Sequence, residues 1–481
     1  MASLEATRER LAKVGQEHLL AFVHELSPSQ VQGLCAQIGA LDLERVPGWV
    51  DKYVRSGSAH AAPDSIEPAP YYPHDAASGG RPWNRAGAKS AGEALLRNGK
   101  VACFTVAGGQ GSRLGYDGPK GCYPVGAVTD KPLFRIFAEG ILATSRRYGA
   151  PVPWYVMTSP LNHDATTAFF EAHDHFGLDA NDVMFFQQGA MPSFDKQTGK
   201  ILLAEKHAVA TNPDGHGGAI RALAVSGAIA DMRRRGVEHV SYFQVDNPSV
   251  LVADPVFLGL HASAPDSSGE FSSKMVPKVA PDEKVGVFGV VDGTLQVVEY
   301  SDLPRELAEA RDASGRLKFL CGNVAIHAVG VAFLEKLAGD PDFELPFHRA
   351  IKKVAHVDPK TGGRVEPSEP NAVKLEKFIF DAIGLARGSI IYETDRVEEF
   401  APVKNAEGVD SVHSSKALQT ERAARWLEAA GVKIPRDGSG ACECLLEISP
   451  LTALDAEQLG ERIRAGEVTP GAIRAGQQVA L

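Results

Sequence analysis

Apolar and polar positions along the chain change period several times, and each change marks an element. Over the first 55 residues Leu11, Val14, Leu19, Phe22, Val23 and Leu26 recur near a 3.6-residue spacing, which predicts helix. A second helix starts at a recognisable cap. Ser27 is followed by Pro28 in the first turn and by Gln30 three residues on, and Val31, Leu34, Cys35, Ile38 and Leu41 continue its apolar face. Between 56 and 92 the periodicity lapses into Pro, Gly, Ala and Ser, with Pro63, Pro68, Pro70, Pro73 and Pro82, the composition of an extended strap.

From about residue 99 short β-rich runs alternate with longer helical stretches. Val101–Val106, Trp154–Thr158, Val183–Phe186 and Val240–Val245 are the strand candidates; 132–148, 162–176 and 217–235 have helical length and spacing. This alternation predicts an α/β fold with a mainly parallel sheet covered on both faces, in which ligands sit beyond the carboxyl ends of the strands. Two runs, Val285–Val291 and Leu295–Val298, flank Asp292, Gly293 and Thr294 and read as a hairpin. The tail holds a helix at 418–430, a strand candidate at 442–448 and a polar last helix. The expected divisions are therefore 1–98 (helices and strap), 99–405 (central α/β domain) and 406–481 (a small C-terminal domain).

Composition narrows the partners. The 481 residues are 44% hydrophobic and 23% charged, ample for a buried core. Fifty Lys and Arg against sixty Asp and Glu leave a net charge of −10, which argues against nucleic acid or an anionic membrane as partner. A phosphate site must then be local. The N-terminus mixes charges into its apolar positions, unlike a signal peptide, and no uncharged run of about 18 residues provides a membrane span. Six scattered cysteines do not form a secreted disulfide framework. A cytoplasmic protein is expected.

The strongest chemical signal lies at 104–126. A strand runs into Gly108, Gly109, Gln110 and Gly111, where missing side chains let backbone N–H groups approach an anion, and Arg113 and Lys120 add cations to the same loop. It is not a Walker A loop, because Gly121 follows Lys120, nor a dinucleotide fingerprint, because Leu114 takes the last glycine's place. Asp246 follows a strand candidate, at the sheet edge where a hard carboxylate holds Mg²⁺ together with phosphate oxygens. His173, Asp174 and His175 on a predicted helix read as a solvated face, since adjacent helical residues point apart. Cys442 and Cys444 share one face of a strand but have no second pair to complete a zinc site.

The glycine loop resembles the signature of nucleotidyltransferases that make nucleotide sugars. The whole chain resembles the UDP-N-acetylglucosamine branch of the eukaryotic-type UDP-sugar pyrophosphorylase family. The likeness runs in order through GQEHLL at 15–20, PKG at 119–121, MTS at 157–159, FFQQG at 185–189, PDGHGG at 213–218, VDNP at 245–248, VVEYS at 297–301, GN at 322–323, KLEKFIFD at 374–381, PVKNA at 402–406 and CLLEISPL at 444–451.

The resemblance implies a Rossmann-like nucleotidyltransferase that converts UTP and N-acetylglucosamine 1-phosphate, or N-acetylgalactosamine 1-phosphate, to UDP-N-acetylhexosamine and pyrophosphate with Mg²⁺. It assigns Arg113, Lys120 and Lys404 to the phosphates and Asp246 to the metal. Gly108, Gly109, Gln188 and Gly215 go to the nucleotide, and Glu299, Tyr300, Asn323, Phe378 and Phe380 to the sugar. The phenylalanines alternate on a strand-like run, which makes at least one a candidate for plain core. His216 departs from the pattern: the N-acetylglucosamine enzymes usually carry Asn there, and enzymes acting on UDP-glucose resemble the Gly-His pairing. An imidazole does not offer both an amide donor and an amide acceptor. Ser112 in place of the usual Thr keeps the hydroxyl. Two alternatives follow, a UDP-glucose or broad UDP-sugar pyrophosphorylase and a non-catalytic nucleotide-sugar sensor.

Overall fold

The computed structural model describes residues 3–56, 65–77 and 81–481; Pro63 of the expected strap lies outside them. The chain divides into two compact units, one of Met1–Ala62, Gln188–Ala219 and Glu344–Asp381, the other of Pro63–Gln187, Ile220–Phe343 and Ala382–Leu481. These do not follow the expected boundaries at 98 and 405. The reason is where apolar faces find partners.

In the larger unit a ten-stranded sheet is built from β1 (Glu67–Pro68), β2 (Val101–Val106), β3 (Trp154–Thr158), β4 (Val183–Gln187), β5 (His239–Gln244), β6 (Phe271–Pro277), β7 (Val287–Val291), β8 (Thr294–Val298), β9 (Cys321–Gly330) and β10 (Ile391–Glu393). Its main path runs β1-β7-β9-β5-β2-β3-β4. The block β5-β2-β3-β4 is parallel, and its inner strands β2 and β3 are almost wholly buried, as strands of a parallel sheet covered on both faces are. Antiparallel β9, β7 and β6 extend it. The expected hairpin is β7–β8, closed by Asp292 and Gly293, both with positive φ, as a tight two-residue hairpin turn requires.

Two helical predictions are corrected by backbone geometry. The stretch 162–176 is helical only over His163–Ala172, because Asp174, His175 and Phe176 take positive φ and His173 packs on Phe169 and Phe176. The three polar residues named there are thus at a helix end. The stretch 217–235 breaks at Gly227 (φ +81°) into Ala219–Val225 and Ala228–Arg234.

The end of the expected strap is also a helix, Arg85–Arg97. Its small residues are a packing surface: a Cβ on Gly92 would overlap the Pro255 carbonyl, and one on Gly259 the Ala88 carbonyl. The helix Pro255–Ser263 therefore crosses it at backbone contact.

The tail belongs to the larger unit. Helix Val412–Ala429, helix Ala456–Arg464 and the parallel pair Leu445–Glu447 with Gln478–Ala480 enclose a small apolar cluster around Trp426, Leu427, Leu446 and Leu459. Polar ties join this cluster to the sheet domain. Glu447 accepts from the Val128 and Thr129 amides at 2.8 Å, Gln419 donates to the Val125 carbonyl at 3.0 Å, and Arg147 pairs with Asp455 at 2.7 Å. Cys442 and Cys444 both precede the strand, which begins at Leu445, so they share no strand face.

In the smaller unit, helices Leu4–Lys13 and Pro28–Gly39 bury Leu11, Leu34 and Ile38 against Phe194, Phe347 and Leu375. The Ser27 and Gln30 capping box is present. An antiparallel sheet of Phe347–Lys352, Ala372–Lys377 and Phe194–Asp195 backs this core. Gln16 of the GQEHLL segment accepts from the Ile201 amide at 2.9 Å and donates to the Gly199 carbonyl, acting as a substitute strand partner.

The helix crossing at Gly92 has a direct consequence. Gly92→Ala forces the backbones apart and is expected to cost about 1–3 kcal/mol, read as a lower urea midpoint; an unchanged midpoint would show that the contact carries no stability.

Candidate functional site

β2 and β5 lie side by side and parallel, with Val106 paired to Gln244, and the Val245 amide donates to the Val106 carbonyl at 3.2 Å. The residues that follow each strand are therefore neighbours, beyond the carboxyl edge of the sheet. After β2 comes the glycine loop; after β5 comes Asp246. Lys120 Nζ lies 3.5 Å from Asp246 Oδ2, with 13% and 15% of the two side chains exposed.

The loop between them is shaped by close approaches. The Lys120 amide donates to the Gly109 carbonyl at 3.1 Å and the Gly111 amide to the Gly118 carbonyl at 2.9 Å, folding the loop on itself. A Cβ on Gly121 would overlap the Phe134 ring, so the position that holds Ser or Thr in a Walker A loop has no room for a side chain here. Gly108 is half-buried and Gly109 exposed at the loop's start; Arg113 sits exposed on the short turn Ser112–Leu114.

Lys404 approaches from the far end of the unit's sequence. The Val403 amide donates to the Asp246 carbonyl at 2.8 Å, and Lys404 Nζ pairs with Asp410 at 3.2 Å. Burial pushes the Asp246 carboxyl up, but Lys120 and Lys404 outweigh it and hold its pKa below the usual carboxylate value. An ionised carboxylate and the ammonium groups of Lys120 and Lys404 are thus gathered beyond the carboxyl edge of the sheet.

Glu299 and Asn323 adjoin each other through Gly286. The Asn323 amide donates to the Gly286 carbonyl at 2.8 Å, and a Cβ on Gly286 would lie 3.2 Å from Glu299 Oε1. Asn323 Oδ1 accepts from the Ala325 amide at 2.9 Å, and Ala325 has positive φ at an irregularity of β9. Tyr300 is 47% exposed.

The smaller unit carries Gln188, Gly215, His216, Phe378 and Phe380. Gln188 is buried, immediately beyond β4. The loop 213–218 lies against the backbone of 376–378: the Lys377 amide donates to the Asp214 carbonyl at 2.8 Å, and a Cβ on Gly215 (φ +83°) or Gly217 would overlap the Lys377 backbone. His216 Nδ1 accepts from the Ile379 amide at 3.1 Å, and its ring stacks on Phe378 at 5.0 Å and 9°. The strand-like alternation expected for 377–381 is not found. The strand ends at Lys377 and a 3₁₀ helix runs from Ile379 to Leu385, which turns Phe378 to half-buried and Phe380 to buried.

The family model described as UTP--glucose-1-phosphate uridylyltransferase matches residues 84–426. The chain belongs to this uridylyltransferase family. It is 38% identical to a human UDP-N-acetylhexosamine pyrophosphorylase-like protein 1, over 95% of this chain and 94% of that one. It is 33% identical to the UDP-N-acetylglucosamine pyrophosphorylase of Saccharomyces cerevisiae, over 95% and 96%. The crystal structure of the uridine diphosphate N-acetylglucosamine pyrophosphorylase from Trypanosoma brucei in complex with inhibitor superposes with a TM-score of 0.81 at 28% identity, covering 97% of this chain and 95% of that one. A UDP-glucose phosphorylase structure from the same organism shares the fold at TM-score 0.61 and 17% identity.

Several residues that hold this cluster in place carry no chemical role that the sequence alone assigns. Buried Asn162, just past β3, donates to the Ala107 and Gly109 carbonyls at 2.8 and 3.2 Å and pins the start of the glycine loop. Asn247 donates to the Glu399 carbonyl at 2.6 Å and accepts from the Ala401 amide at 3.0 Å, tying the Asp246 segment to the one that leads to Lys404. Behind it the fully buried Lys274 pairs with Asp254 at 2.7 Å and with Glu399. Asn at a strand end and Lys within a strand are signals only when a loop to pin, or a buried carboxylate, is already known.

This ion triad has a defined pH signature. Burial pushes Asp254 up, but Lys274 outweighs it and depresses its pKa, so its contribution is present above the ordinary carboxylate value of about 3.9 and is lost as pH falls through the lower folded value. Lys274→Met leaves both carboxylates buried without their cation and is expected to cost about 3–5 kcal/mol near neutrality. Protonation then relieves the variant, so its deficit in urea unfolding shrinks as pH drops through the carboxylate range; a deficit independent of pH would refute the assignment.

Proposed function

We propose that the chain transfers the uridylyl group of UTP to N-acetylglucosamine 1-phosphate, with N-acetylgalactosamine 1-phosphate as a second acceptor, giving UDP-N-acetylhexosamine and pyrophosphate. The observation that carries this reading is the cluster of Lys120, Asp246 and Lys404 beyond the parallel strands, in a chain whose full-length relatives bear UDP-N-acetylhexosamine and UDP-N-acetylglucosamine pyrophosphorylase names.

An oxygen of the sugar 1-phosphate attacks the α-phosphorus of UTP, the new P–O bond forms, and the bond to the β-phosphate bridging oxygen breaks as pyrophosphate leaves. The attacking phosphate is already largely ionised at neutral pH, since its second pKa is about 6. No general base is needed. The protein's work is charge neutralisation and in-line positioning. Lys120 and Lys404 meet the phosphate oxygens, and exposed Arg113 adds a third cation. Among the described residues no cluster of three or more His, Cys, Asp or Glu forms an all-protein metal cage. A single ionised carboxylate, Asp246, fits Mg²⁺, which is commonly bound by one or two carboxylates plus substrate phosphates and water. Magnesium, when bound, supplies further neutralisation of phosphate charge.

Gln188 reads the uracil edge through its amide, and the Gly108–Gly109 and Gly215 backbones bring N–H groups or close contact to the nucleotide. Glu299, Tyr300, Asn323, His216, Phe378 and Phe380 are assigned to the sugar. We place the protein in the cytoplasm, a reading supported by six free cysteines. No helix among the described residues is long and apolar enough to cross a membrane.

The decisive experiment supplies Mg²⁺ and pyrophosphate and compares initial UTP formation from UDP-N-acetylglucosamine, UDP-N-acetylgalactosamine, UDP-glucose and UDP-galactose. Preference for the acetylated sugars is expected. Preference for UDP-glucose or UDP-galactose would reassign the sugar, and binding with no UTP formation would make the protein a sensor. Lys120→Ala and Asp246→Ala are each expected to lower kcat by about 10²–10³; near-normal turnover in either would overturn its role.

A further inference from the structure

Phe378 is held by two imidazoles. His216 stacks on it at 5.0 Å and 9°, and His348 stacks on it at 4.1 Å and 25°. His348 Nε2 lies 2.8 Å from Asp381 Oδ2, and both side chains are largely enclosed, with 17% and 14% exposed. Asp381 lies in the first turn of the 3₁₀ helix that begins just past Phe378, and its amide donates to the Phe378 carbonyl at 3.1 Å. His348 stands on the neighbouring strand, where it pairs with Glu376. The carboxylate therefore fixes the orientation of an imidazole that in turn fixes the Phe378 ring.

The same ring bears on His216. Its Nδ1 accepts from the Ile379 amide, which puts the ring proton on Nε2. The stack on Phe378 then sets the plane in which that N–H lies. A shorter amide side chain in this place would have no ring to stack, so the ring-on-ring support is specific to a chain with histidine at 216.

We propose that His348, oriented by Asp381, is a positioning residue that fixes Phe378 and through it His216, and so sets the discrimination between acetylated and unacetylated UDP-sugars. This rests on the reading that His216 and Phe378 face the sugar. His348 needs no contact with substrate. Face-to-face and tilted aromatic pairs contribute modestly beyond their buried area, and the expected effects are correspondingly modest and selective.

The test uses the full chain and four variants: His348→Ala, His348→Phe, Asp381→Asn and Phe378→Ala. KM and kcat are measured for UDP-N-acetylglucosamine, UDP-glucose and pyrophosphate, and UDP-sugar affinity by calorimetry without pyrophosphate. His348→Ala is expected to raise the sugar-nucleotide KM about three- to tenfold, to change the ratio of kcat/KM between the two sugars, and to leave the pyrophosphate KM alone. Asp381→Asn moves the same quantities less, and His348→Phe, which keeps a stacking ring, restores most of the loss. A lower melting temperature in His348→Ala with an unchanged sugar ratio would reduce His348 to a structural residue and overturn the proposal. If Phe378→Ala disturbs sugar binding and His348→Ala does not, the inference about His348 fails alone. If Phe378→Ala leaves sugar affinity intact, the assignment of the sugar residues fails with it.

Discussion

Two parallel strands that end in step are the constraint on which the larger unit depends. Because β2 and β5 share a register, the turn after one and the carboxylate after the other emerge at the same level of the sheet. The glycine loop then has to fold back over Lys120 without side chains in the way, and Asp246 has to remain charged at a half-buried position. Neither condition is met by the strands alone. Asn162 satisfies the first by holding the Ala107 and Gly109 carbonyls, and Lys120 with Lys404 satisfies the second by offsetting the cost of burial.

A second layer keeps the two lysines in reach of the carboxylate. The segment from Asp246 to Leu251 and the segment from Glu399 to Lys404 are distant in sequence but laced together by Asn247, by the Val403 amide and by Glu399, whose carboxylate accepts from the Leu251 amide at 3.0 Å. Buried ion triads are poor investments in stability compared with apolar packing. Their geometry, however, is specific. Lys274 bridges the start of the helix that crosses at Gly92 and the segment that leads to Lys404, so the close helix crossing and the approach of Lys404 to Asp246 share one anchor.

Much of this was legible in the order of residues. The parallel strands, the hairpin at Asp292 and Gly293, the capping box at Ser27 and the meeting of the glycine loop with Asp246 at the sheet edge follow from period, turn chemistry and strand-end position, all of which are local. What escaped was set by partners. The helix Arg85–Arg97 looks like a linker because its Ala, Gly and Ser residues are there to admit a neighbouring backbone. The run at 377–381 alternates like a strand, but the chain turns at Phe378 to pack its ring between imidazoles. The unit boundaries were hidden for the same reason: the smaller unit is assembled from three separated stretches, joined by contacts such as Gln16 to Ile201 that no window of sequence contains.

The tie from Glu447 to the Val128 and Thr129 amides gives the chain an order of completion. A ribosome that has finished β2 and the glycine loop has more than three hundred residues left to make before the carboxylate that pins the following loop exists. Growing chains begin folding from the N-terminal end, and here the parallel block β5-β2-β3-β4 is complete in sequence at Gln244, long before the carboxylate that ties Val128 and Thr129 is made. The clasp on the loop that follows the glycine turn thus arrives late in synthesis, and a product terminated after Gln244 has the parallel strands but not the clasp.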